Sequence, residues 1–126
     1  MELTSINSAI TNSIKVKQLS KTEFQLTTCV SYPNKQPIIL FIQKIGSNWL
    51  MTDKKQTLKQ MNSIFDLKSK DVKKCINNII TAYAFKMQSG ILLTEIDELN
   101  LSKKLIEFLM CISQLVNMYV FFDEPS

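Results

Sequence analysis

The chain contains no arginine and no histidine, and only two of its residues are glycine. Each shortage removes a class of chemistry. All fifteen basic residues are lysines, and a lysine ammonium is a point charge without the planar fork that grips phosphate or guanine in two places. A dedicated sequence-specific DNA reader is therefore not expected. With no imidazole, there is no ready base to activate a thiol or hydroxyl and no histidine ligand for a metal. Gly46 and Gly90 both fall where a turn is expected, so no glycine-rich phosphate loop exists. Cys29, Cys75 and Cys111 lie far apart, a spacing that fits neither a disulfide framework nor a zinc site. Each sits in an apolar pattern, and the expectation is three buried thiols in a reducing cytoplasm.

Long hydrophobic runs are missing too. The most apolar stretch, residues 105–122, is interrupted by Glu107, Gln114 and Asn117, which fits a buried helix and not a membrane span. Met1-Glu2-Leu3 does not begin a basic region followed by an apolar core, so no signal peptide is expected. What is present is ordinary globular material. A hydrophobic fraction of 45% with 21% charged residues is enough for a packed core, and 126 residues fit one domain spanning residues 1–126.

Periodicity supplies the elements. Leu3, Ile6, Ile10 and Ile14 recur at helical spacing. After lysines 15, 17 and 21, a strict alternation places Phe24, Leu26, Thr28, Val30 and Tyr32 on one face of a strand. Tyr32-Pro33-Asn34-Lys35 reads as a turn. Ile38 to Ile42 is apolar on both faces and belongs in the middle of a sheet; Gly46-Ser47 closes a hairpin onto Trp49 to Thr52. Asp53 with Gln56 three residues later forms a capping-box pattern for a short helix carrying Leu58, Met61 and Phe65. Ser69 caps a second helix, whose Val72, Cys75, Ile76, Ile79, Ile80 and Tyr83 form an apolar stripe. A hairpin over residues 85–96 turns at Ser89-Gly90, and a last helix runs from about Leu101 to Tyr119. The fold expected is α+β: a three-stranded antiparallel meander plus a second hairpin, with an N-terminal helix, two central helices and a long C-terminal helix packed on the sheet.

This order resembles a small prokaryotic and phage-borne domain of unknown function, numbered eighteen-twenty-eight. The matching residues are Pro33, Ile38 to Ile42, Gly46, Trp49, Met51-Thr52-Asp53, Leu58, Gly90 and the helix from Leu101, covering roughly residues 24–119. The resemblance implies a bacterial or phage origin and brings no established activity. It also implies a glycine soon after the aspartate, where this chain has Lys54-Lys55. A loop at Asp53 would be reshaped accordingly.

Several constellations invite a functional reading. Asp53 beside Trp49 and Thr52 puts a carboxyl group at a strand end, yet helix capping and core packing account for both residues, and one carboxyl lacks the second acid or base that hydrolysis requires. Glu95, Asp97 and Glu98 form an acidic patch, too few oxygens for a divalent ion and better read as a solvated helix entry. Tyr119, Phe121 and Phe122 read as core packing or edge pairing before they read as an apolar patch. Cys75 and Cys111 lack a base.

The remaining candidate is basic. Residues 54–74 hold seven lysines against Asp66 and Asp71. Lys54, Lys55, Lys59, Lys70, Lys73 and Lys74 are the expected binding residues, with Lys70, Lys73 and Lys74 on one helical face. The function expected is non-enzymatic protein–protein interaction, in the manner of a regulator or host-defence inhibitor carried by a phage or mobile element. The alternative is a nucleic-acid-binding accessory using the same lysine face. The partner is then an acidic protein or a nucleic acid, and not a membrane. A homodimer joining the basic and acidic patches is a further expectation, while no catalytic residue, cofactor or metal is expected.

Overall fold

A computed structural model of the chain describes residues 1–9 and 14–118. Four helices are seen, α1 (Leu3–Ala9), α2 (Gln56–Asn62), α3 (Lys70–Ala82) and α4 (Leu101–Val116). Six strands, β1 (Lys15–Ser20), β2 (Glu23–Ser31), β3 (Pro37–Ile45), β4 (Asn48–Thr52), β5 (Lys86–Gln88) and β6 (Ile91–Ile96), form one antiparallel sheet in the order β1-β2-β3-β4-β6-β5. The fold is α+β, and the second hairpin extends the meander through pairing of β4 with β6.

The expected meander is one strand short. Lys15–Ser20 pairs along β2, with Val16 opposite Leu26. Its polar alternation hid it, because an edge strand needs few inward apolar residues and gains from lysines that discourage pairing with other chains. In β3 the period of two is clear despite the continuous apolar run: Ile38, Leu40 and Ile42 are buried, whereas Ile39 and Phe41 are half-buried. The register aligns Phe24, Ile42, Met51 and Thr94 across four strands on the covered face. The opposite, more open face carries the Lys54 ammonium 4.0 Å from the Phe41 ring centroid.

Between Thr27 and Ser31, β2 carries three residues against one of β3. The Thr28 hydroxyl bridges this bulge by donating to the carbonyl of Ile38 at 2.8 Å. Val30, expected on the covered face, is turned outward by the bulge. Cys29 is exposed and Cys75 only half-buried; Cys111 alone is a buried thiol. The expectation of three buried thiols is corrected accordingly. Trp49 is half-buried, its ring centroid 6.1 Å from that of Phe24.

α4 closes the core with Leu101, Leu105, Phe108, Ile112 and Leu115, each contributing about 1.5–3 kcal/mol by leaving water. It packs against α1, α2, α3 and β6. Met110 on the same helix is 51% exposed. Ser69 caps α3 as expected, accepting from the backbone of Val72. Ile10, Tyr119, Phe121, Phe122 and the tail from Asp123 lie outside the described residues. Among those described, no helix is long and apolar enough to cross a membrane.

Candidate functional site

The sheet meets the helices at Asp53, which follows β4 and is completely buried. One side-chain oxygen, Oδ1, accepts from the backbone N–H of Lys55 and of Leu92, each at 3.0 Å; Oδ2 accepts from the N–H of Thr57, also at 3.0 Å. The Asp53 N–H in turn donates to the Leu92 carbonyl. This corrects the capping box. The residue at the helix boundary is Lys55, which offers no side-chain cap. Asp53 works from further back, tying the first turn of α2 to β6. Every contact is to backbone, so the carboxyl group is occupied as a structural clamp.

Its charge reaches further. The Tyr32 hydroxyl lies 3.1 Å from the Thr57 hydroxyl. Burial, with Asp53 adding to it and the Thr57 hydrogen bond opposing it, pushes the Tyr32 phenol up to about 12. Burial and then Asp53 likewise raise the Cys111 thiol to about 12. Such a thiol is not a nucleophile near neutrality.

Past Asp53 the chain bends through two consecutive left-handed residues, Lys54 with φ 50° and Lys55 with φ 73°. Glycine adopts that region without penalty; lysine pays about 1–2 kcal/mol. The lysines thus keep a glycine-type path and add two cations at the entrance of α2. They do not point alike. Lys54 pairs with Glu23, whose pKa it lowers chiefly through their hydrogen bond, and covers Phe41 on the open sheet face.

Two cavities of about 560 and 620 Å³ adjoin at Leu58 and Leu67, forming a groove. Its apolar floor comes from Leu58, Leu67, Ile76 and Ile80, with Phe85 and Met87 at the far end. Its rim carries Lys54, Lys55 and Lys59 at the α2 end and Lys73 and Lys86 at the α3–β5 end. Among the described residues no carboxyl group lines either half. Lys55, Lys59, Lys73 and Lys86 have no acidic partner among the described residues. Gly90 fixes one wall: at φ +82° it turns beneath α2, where an added Cβ would stand 3.1 Å from Leu58 Cδ2.

Of the six lysines expected to bind, the fold gathers Lys54, Lys55, Lys59 and Lys73 along this groove. Lys70 and Lys74 are exposed and line neither half, because a helical turn carries them toward solvent while Lys73 leans back over Ile76 and Ile80. Lys86, Leu67 and Met87 were missed. Lys86 stands alone in sequence and Leu67 follows no period; only the hairpin's return beside α3 joins them to the site. The acidic residues Glu95, Asp97 and Glu98 sit elsewhere, around a cavity of about 310 Å³ beside Trp49. Asp97 is occupied there by the backbone N–H groups of Leu99 and Asn100, at 2.8 Å each.

Comparison with known families places the chain. The family described as Domain of unknown function DUF1828 matches residues 28–115, and the chain belongs to it. No curated protein and no solved structure matches.

Proposed function

We propose that this DUF1828 protein is a non-catalytic binding module whose groove receives an acidic, partly apolar segment of a protein partner. One observation carries this reading: an apolar floor lies between α2, α3 and β5 under a lysine rim on which Lys54 alone has an acidic partner and, among the described residues, no carboxyl group takes part. Apolar floor supplies affinity through water release, and the cations select the sign of the partner and speed its approach. A nucleic acid would also meet lysines, but stacking needs exposed aromatic faces. The one aromatic lining the groove, Phe85, is only 5% exposed. Acting by occupying a partner suits a small regulator or an inhibitor of host defence carried by a phage or mobile element.

The test compares two charge reversals by NMR titration. Lys55→Glu with Lys59→Glu and Lys73→Glu alters the rim; Lys70→Glu with Lys74→Glu alters the solvent face. Short glutamate–valine peptides and single-stranded oligothymidylate serve as probes. The expected result is peptide binding that shifts Leu58 and Ile80, survives the second change and is lost with the first. Oligothymidylate binding that depends on Lys70 and Lys74, with no peptide response at the groove, would overturn the proposal in favour of nucleic acid.

A further inference from the structure

Resting on the groove reading, we infer that the bound segment is an extended strand that adds to the sheet at β5, with apolar and acidic side chains in alternation. All three residues of β5, Lys86, Met87 and Gln88, line the groove. Successive strand side chains point to opposite faces, so three consecutive residues can share one cavity only if it runs along the strand's edge. β5 is the last strand of the sheet, and among the described residues that edge has no neighbour.

The edge is also unsatisfied where it matters. Ser89 and Gly90 form a two-residue turn, both at positive φ, which makes Gln88 and Ile91 the closing hydrogen-bonded pair. Met87 stands opposite Leu92, but both backbone groups of Leu92 are committed to Asp53: its N–H donates to Oδ1 and its carbonyl accepts from the Asp53 N–H. The N–H and C=O of Met87 therefore face away from β6, into the groove. A strand laid there would satisfy both groups, the mode by which extended peptides extend sheets elsewhere.

The side-chain pattern of the segment follows from the two faces. Met87 lies on the covered side with Leu92, next to the Ile76 and Ile80 floor, while Lys86 lies with Leu93 on the open face. A segment paired with β5 sends every second residue to the apolar floor and the others toward Lys86 and open solvent. Apolar residues suit the first set and acidic residues the second. A helical segment would satisfy the rim charges but leave Met87 unpaired.

Two short peptides of the same valine and glutamate composition separate these modes, one strictly alternating and one with valines at helical spacing. The expected result is that the alternating peptide binds about tenfold more tightly or better, a difference of about 1.4 kcal/mol, and slows hydrogen exchange at the Met87 amide. Methylating one alternate set of its backbone amides should abolish binding, and methylating the other set should spare it. If the helically spaced peptide binds as well, or both methylated sets behave alike, strand addition is wrong while the groove reading stands. If neither peptide shifts Leu58 or Ile80, the groove reading itself has failed.

Discussion

Asp53 and Leu58 stand little more than a helical turn apart and are built on opposite terms. Around Asp53 both carboxyl oxygens are saturated with backbone N–H groups from α2 and β6. Around Leu58 apolar surface lies beside Lys55 and Lys59, which have no acidic partner among the described residues. A fully satisfied polar residue in a fold is holding something together. A surface left unsatisfied at some cost in stability is where another molecule belongs. The residue with the more chemical side chain is thus the structural one, and the leucine beside it marks the proposed site.

The comparison breaks most visibly at Asp53. Asp53→Ala leaves three backbone donors without acceptors at the sheet–helix junction, and a loss of about 3–5 kcal/mol is expected in urea unfolding. A loss under 1 kcal/mol would mean that the clamp is not structural. The reciprocal change, Leu58→Glu, should weaken peptide binding at the groove by about tenfold or more, or about 1.4 kcal/mol, with a much smaller change in unfolding midpoint than Asp53→Ala. Unaltered binding would remove Leu58 from the site.

Next in size is Gly90→Ala, which meets both a left-handed backbone and Leu58, and should cost about 1–2 kcal/mol. Smaller and opposite in sign is Lys55→Gly. Relief of the left-handed strain, less the added chain entropy of glycine, should stabilise the protein by about 0.5–1 kcal/mol while weakening groove binding. Stability and binding would then move in opposite directions at one residue, as expected where charge is placed for a partner and not for the fold.

Alkaline unfolding probes the Asp53 side from another direction. The Tyr32 and Cys111 acids have folded pKa values near 12, above their ordinary values of 10.0 and 9.0. In that interval the folded state holds protons that the unfolded chain has released, so stability falls as pH rises. Stability should be fully present below about pH 9 and decline toward pH 12, with a shallower decline in Tyr32→Phe. An equal slope in that variant would show that Tyr32 does not report on the junction.

Much of this architecture is legible in the sequence because local signals agree. The Ile38–Ile42 run, the turns at Gly46 and Gly90, the Ser69 cap and the α4 stripe each specify an element on their own. β1 escaped because an exposed edge strand imposes almost no hydrophobic pattern. Val30 was misplaced because alternation cannot register a bulge that the Thr28 hydroxyl stabilises through Ile38. Asp53 read as a cap because its link to Leu92 spans two helices and a hairpin and leaves no local trace. Four of the five lysines that line the groove could be read from charge alone. The groove's floor could not, since Leu67, Ile80 and Met87 meet only after the chain has folded back.

The most direct test of the central claim compares the two sets of lysines. Affinity of an acidic, apolar peptide is measured by NMR for the variant altered at Lys55, Lys59 and Lys73 and for the one altered at Lys70 and Lys74, both confirmed folded. The first is expected to lose binding and the second to keep it, with shifts in the parent protein centred on Leu58, Ile80 and Met87. Equal loss in both would mean that the helix face acts as a diffuse cationic surface, and that the groove is not the site.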